Sequence, residues 1–117
     1  MRKTGSFPRE DRIQRRQEFL AVRAARSRVR AGGLRLEWLV TASPRHRVGF
    51  TVTKFRGSAP LRNRIKRLLR EAWRHEREAF PHGRDYVFVP EDPDAFPGLA
   101  VVRELMRTLA KRISARS

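Results

Sequence analysis

Lys54–Phe80 reads KFRGSAPLRNRIKRLLREAWRHEREAF, and its spacing predicts one amphipathic helix. Ser58 and Pro60 supply a start, a side chain that can accept a first-turn amide followed by a ring whose φ is already helical. Pro81 and Gly83 supply a stop. On a wheel of about 100° per residue, Leu61, Ile65, Leu68, Leu69, Ala72, Trp73 and Phe80 gather on one side, which is suited to pack on a sheet. Asn63, Lys66, Arg67, Arg70, Arg74 and Arg77 gather on the other, five cations and one amide on a single stripe. Within residues 54–77 the acids are Glu71 and Glu76, too few to neutralise it. Such a stripe can follow a phosphate backbone. Arginine suits RNA in particular, because the planar guanidinium holds phosphate through two hydrogen bonds and also stacks on unpaired bases.

Outward from this helix, turn signals fall at Ala31-Gly32-Gly33, Ser43-Pro44, Gly57-Ser58, Pro81-His82-Gly83 and Pro90 to Gly98. Between them, Leu34, Leu36, Trp38 and Val40 alternate with Arg35, Glu37 and Leu39, and Val48, Phe50 and Val52 alternate with Gly49, Thr51 and Thr53, as half-buried strands do. Tyr86 to Val89 is apolar on both sides, the pattern of a central strand. A first helix is expected from about Gln14 to Arg26, burying some of Leu20, Ala21 and Ala24, with Phe19, Val22 and Arg23 on a neighbouring stripe. A last helix carries Val102, Leu105, Met106, Leu109 and Ile113 at core spacing. The expected order is helix, strand, strand, helix, strand, helix.

The 117 residues suit one domain, with residues 1–13 an extended or flexible N-terminus. Lys and Arg number 28 against 12 Asp and Glu, a net charge of +16 that repels itself unless a polyanion neutralises it. Residues 1–30, 31–53 and 54–77 carry +7, +2 and +7, while the remainder is neutral, so the excess lies on a dedicated part of the chain. With no cysteine there are no disulfides or thiolate sites. Arg2 and Lys3 precede polar residues and no apolar run spans a bilayer, so a cytoplasmic protein without a membrane partner is expected. His46, His75 and His82 are scattered, without metal-ligand spacing, and are expected at the surface or in loops. Glu91, Asp92 and Asp94 are the densest acids, but Pro90 and Pro93 mark them as a loop. A protein-borne two-metal nuclease needs clustered carboxylates, so neither a catalytic residue nor a protein-bound metal is expected.

Arg62-Asn63-Arg64-Ile65-Lys66-Arg67-Leu68-Leu69-Arg70-Glu71 resembles the RNR motif of the bacterial ribonuclease P protein. The likeness spans nearly the whole chain: Phe19 on an early helix, Val48-Gly49-Phe50 leading into Lys54 and Gly57, the motif helix, a hydrophobic strand and a final amphipathic helix. The resemblance implies an α+β fold, a two-layer α/β sandwich of a four-stranded sheet with three helices. Its β-α-β crossover through the motif helix would be left-handed, against the general preference. A minor strand near Thr51 to Phe55 would supply the fourth strand.

The resemblance also implies a role: a protein subunit that binds the catalytic ribonuclease P RNA and the 5′ leader of precursor tRNA, with catalysis and Mg2+ belonging to the RNA. It requires no obligate protein partner. RNA-subunit contacts carry over to Arg62, Asn63, Arg64, Lys66, Arg67 and Arg70, with Arg74 on the same stripe, and leader contacts to Arg12, Arg16, Phe19 and Lys54, with Arg23 beside them. This chain departs from the family where Arg23 stands for a second aromatic, where Phe55 interrupts a basic pair, and where Pro90-Glu91-Asp92 replaces a basic segment. A ribosomal protein or RNA chaperone would share the charge, size and amphipathic helix. A helix-turn-helix DNA binder would need two adjacent helices, whereas strand patterns flank the motif helix.

Overall fold

The structure, a computed structural model, describes residues 9–52, 58–92 and 95–116. In chain order the elements are α1 (Arg16–Ala24), β1 (Ser27–Ala31), β2 (Leu34–Val40), β3 (Arg47–Phe50), α2 (Ala59–Glu76), β4 (Arg84–Pro90) and α3 (Leu99–Arg116). Single 3-10 turns lie at Arg9–Asp11 and Arg77–Ala79. The strands form one four-stranded sheet in the order β1-β2-β4-β3. β1, β2 and β4 pair antiparallel, and β3 pairs parallel to β4, so β3, α2 and β4 make a β-α-β unit between neighbouring strands. As the apolar run of Tyr86 to Val89 indicated, β4 is central.

α2 starts where its sequence says. The Ser58 hydroxyl accepts from the Leu61 amide at 3.4 Å, and Pro60 lies in the first turn. Ile65, Leu69, Ala72 and Trp73 are buried, as is Phe80 beyond the helix end. Leu61 and Leu68, expected beside them, are only half-buried at the border of the packed face. These side chains join Leu34, Leu36, Trp38, Val48, Tyr86 and Phe88 of the sheet and Val102, Met106, Leu109 and Ile113 of α3 in one core. Trp73 holds its centre, with ring centroids 5.0 Å from Phe80, 5.7 Å from Phe88 and 5.9 Å from Tyr86, in tilted and edge-on geometries that aromatic pairs favour. Burial pushes the Tyr86 phenol well above its ordinary pKa, and its hydroxyl donates to the Pro81 carbonyl at 2.7 Å.

Since successive side chains of a strand point to opposite faces, Val87 and Val89 look away from this core. They meet Ile13 and Val22 in a second, smaller cluster that Phe19 and Leu39 border. α1 therefore covers part of the opposite face of the sheet. It is shorter than expected and turned differently: Val22 is its buried residue, while Leu20, Ala21 and Ala24 are exposed.

The fourth strand is the main correction. In the described sheet it is Ser27–Ala31, where a segment near Thr51 to Phe55 was expected. Thr51 only extends β3 by one hydrogen bond, its amide donating to the Phe88 carbonyl at 3.0 Å, and residues 53–57 lie outside the described residues. Arg26 ends α1 with φ +58°, a left-handed conformation uncommon for a residue with a side chain. The chain then enters β1, and Gly32 and Gly33, with φ +51° and +82°, close a two-residue hairpin turn of the type that requires two positive φ values. Glu76 is a further correction: it is buried and accepts from Arg103 at 2.7 Å and Arg107 at 2.9 Å, tying α2 to α3 instead of neutralising its own helix.

Leu69 is fully buried where α2 meets the core. Leu69→Ala should therefore lower stability by about 2–5 kcal/mol through the cavity it leaves, while Leu68→Ala, at a half-buried position, costs less. Chemical denaturation of both variants checks the order.

Candidate nucleic-acid interface

Arg47 locks three elements together. Its Nε and Nη2 donate to the two Asp85 carboxylate oxygens at 3.0 and 2.7 Å, joining β3 to its register partner on β4. Its Nη1 donates to Glu18 Oε2 at 3.0 Å, which fixes α1 over the sheet. The other Glu18 oxygen accepts the Arg15 and Gln14 amides at 3.0 and 3.2 Å and so closes the first turn of α1. The Arg15 N–H foremost, and then the Arg47 guanidinium, hold the Glu18 carboxyl down at about 2. The same carboxylates raise the Arg47 pKa.

With α1 held there, the Phe19 ring lies against Gly49. A Cβ at position 49 would come within 2.5 Å of that ring, so the ring can occupy its place only because β3 carries a glycine there. Phe19 is half-buried and becomes the shared wall of two grooves. One runs along the outer edge of β3, where Ile13 donates its amide to the Val48 carbonyl at 2.9 Å. Arg9, Arg12, Gln14, Gly49 and Phe50 line it together with Lys66 and Arg70 of α2. The other runs beneath α1 over the open face of the sheet, lined by Arg16, Phe19, Leu20, Arg23, Glu37, Thr51, Val87 and Val89.

The structure thus gathers Arg12, Arg16, Phe19 and Arg23 around two connected grooves, and it adds Lys66 and Arg70 to the first. Asn63, Arg64, Arg67 and Arg74 are exposed on the outer side of α2, and Arg62 is half-buried one turn before Lys66. Arg74 donates to Glu71 at 2.8 Å. Lys54 lies outside the described residues. Arg9, Gln14, Thr51 and Glu37 were not singled out from the sequence, although strand alternation already placed Glu37 opposite Leu36 and Trp38. His46, expected at the surface or in a loop, lies in the loop before β3 and is buried. It stacks on His82 at 4.2 Å, meets Trp73 edge-on at 5.2 Å, and its Nε2–H donates to the Arg77 carbonyl at 3.1 Å. Among the described residues no three His, Asp or Glu side chains come together as a metal site, and no helix is long and apolar enough to cross a membrane.

A basic α+β domain whose arginine-rich helix walls a groove that also presents aromatic rings has the features of the class of RNA-binding domains. The ribonuclease P family model matches residues 7–114. A ribonuclease P protein component of Gluconacetobacter diazotrophicus is 42% identical over 106 residues, which cover 88% of this chain and 91% of the relative. The ribonuclease P protein of Thermotoga maritima superposes with a TM-score of 0.75 at 26% identity, covering 86% of this chain and 96% of that one. The Staphylococcus aureus protein shares the fold at 20% identity, with a TM-score of 0.76 over 88% of this chain and 94% of its own. The chain belongs to the ribonuclease P protein family, the protein subunit of a tRNA-processing endoribonuclease.

The Glu18 geometry has a consequence for pH. Its pKa is depressed in the folded state, so its stabilisation is complete above the ordinary carboxylate value of 4.5 and is lost as pH falls from there towards about 2. Glu18→Gln should therefore lower the melting temperature near neutral pH and flatten its decline across that acid range. Thermal melts at a series of pH values measure both.

Proposed function

We propose that the two grooves flanking Phe19 hold the single-stranded 5′ leader of precursor tRNA, while the outer side of α2 binds the catalytic RNA. What carries this reading is the placement of one ring. Phe19, seated on Gly49, is half-exposed between cations of α1 on one side and Lys66 and Arg70 on the other. A half-exposed ring flanked by cations is the arrangement that stacks a base and grips its phosphates without reading sequence. Arg12, Arg16, Arg23 and Lys54 serve the leader's phosphates. Arg62, Asn63, Arg64, Arg67 and Arg74 serve the RNA subunit, and Lys66 and Arg70 stand where the two ligands meet.

In this scheme the protein positions and the RNA reacts. Cations spread over α1 and α2 lower the repulsion between two polyanions, enzyme RNA and substrate, and so reduce the Mg2+ that the RNA needs. Divalent ions belong to the RNA subunit; the protein's part is to bind, orient and screen. The expected seat is the cytoplasm, where precursor tRNA is made and trimmed.

Three outcomes follow for the reconstituted holoenzyme. The protein by itself should leave precursor tRNA uncut, and with a bacterial ribonuclease P RNA it should lower the magnesium required; cleavage by RNA-free protein would contradict this. Replacing Arg62, Lys66 and Arg70 by Ala should weaken binding to the RNA subunit and reduce its salt slope with little change in melting temperature. Phe19→Ala should cost about 1–3 kcal/mol in affinity for substrates with a leader of several nucleotides and leave mature tRNA nearly unaffected. Equal losses for both ligands would return Phe19 to a purely structural part.

A further inference from the structure

We infer that Glu91 is a built-in substitute for phosphate that ends the leader groove, and that it limits how many leader nucleotides the protein grips. The inference rests on the leader reading above and deepens it. It starts from the pairing of strands. Arg30, Arg35 and Val89 are successive partners across β1, β2 and β4, and the neighbouring row on the same face runs from Arg28 through Glu37 and Val87 to Gly49. Val87, Val89 and Glu37 line the groove beneath α1, so Arg35 and Arg30 stand immediately beyond its floor.

Two arginines in line with a basic groove would ordinarily extend it by one or two phosphates. Here they are already engaged. Glu91 accepts from Arg30 Nε at 3.1 and 3.0 Å and from Arg35 Nη1 at 3.1 Å, and Glu37 Oε2 lies 3.6 Å from Arg35 Nε. These two cations and two carboxylates cancel one another within a chain of +16. A carboxylate held by guanidinium groups on two strands takes the place a phosphate would occupy. The site is built, because the Glu91 amide donates to the Gly33 carbonyl at 2.8 Å and pins the residue over the hairpin turn whatever its side chain.

A leader long enough to reach this row must compete with Glu91, whereas shorter leaders never meet it. The test is equilibrium binding of precursor tRNAs, with leaders lengthened one nucleotide at a time, to holoenzyme reconstituted with a bacterial ribonuclease P RNA. With wild-type protein the affinity should stop rising once the leader fills the groove. Glu91→Gln should let it rise further, by about fivefold, the equivalent of one surface ion pair. The salt slope should steepen by roughly 0.7 per phosphate gained. Arg35→Gln added to Glu91→Gln should cancel the gain.

Wild-type and Glu91→Gln curves that coincide at every leader length, with Phe19→Ala still selective for leaders, would overturn the role of Glu91 and leave the leader grooves standing. A uniform gain that includes mature tRNA would overturn it too, since only net charge would then have changed. A profile flat with leader length in the wild type, with Phe19→Ala silent, would overturn the groove reading itself.

Discussion

Everything functional in this fold hangs on the docking of α2 through Trp73. The indole sits among Phe80, Tyr86 and Phe88, with His46 closing its edge. Large rings in contact fix the rotation of a helix more tightly than aliphatic packing does, because only a few offset or edge-on geometries are favourable. That rotation decides which residues of the motif face outwards. It leaves Asn63, Arg64, Arg67 and Arg70 exposed and brings Lys66 and Arg70 to the rim of β3, so one helix presents both an outer cationic face and an inner groove wall.

The acidic residues explain why a chain of such charge folds around a defined surface. Glu18 and Asp85 are taken by Arg47, Glu76 by Arg103 and Arg107, Glu91 by Arg30 and Arg35, and Asp11 by Arg45. Each of these pairs joins different elements, whereas Glu71, with Arg74 and His75, pairs within α2. The carboxylates act as internal fasteners between elements. The remaining positive field faces the solvent, where a polyanion can meet it.

Much of this was legible in the sequence, and the failures have physical causes. α2 could be read to within a few residues because its cap, period and stop agree with one another. The central place of β4 followed from its unbroken apolar run. β1 was hidden because Arg28 and Arg30 leave Val29 as the one large apolar side chain of Ser27–Ala31, too weak an alternation to mark a strand between the expected helix end near Arg26 and the Gly32-Gly33 turn. The buried side of α1 was misjudged since a nine-residue helix has too few turns to define a stripe, and a glycine on another strand chose the side by admitting Phe19. Arg47 gave no local signal at all, as its partners lie 29 and 38 positions away.

The central claim is a division of space, the leader against Phe19 in the grooves and the catalytic RNA on the outer side of α2. Photo-crosslinking tests it most directly, with a photoreactive nucleotide placed at successive leader positions of precursor tRNA bound to the holoenzyme. Adducts should fall on peptides containing Phe19, Arg23 or Lys66, while probes in the RNA subunit label the segment from Arg62 to Arg67. Leader adducts confined to Asn63, Arg64 and Arg67, with none at Phe19, would contradict the account.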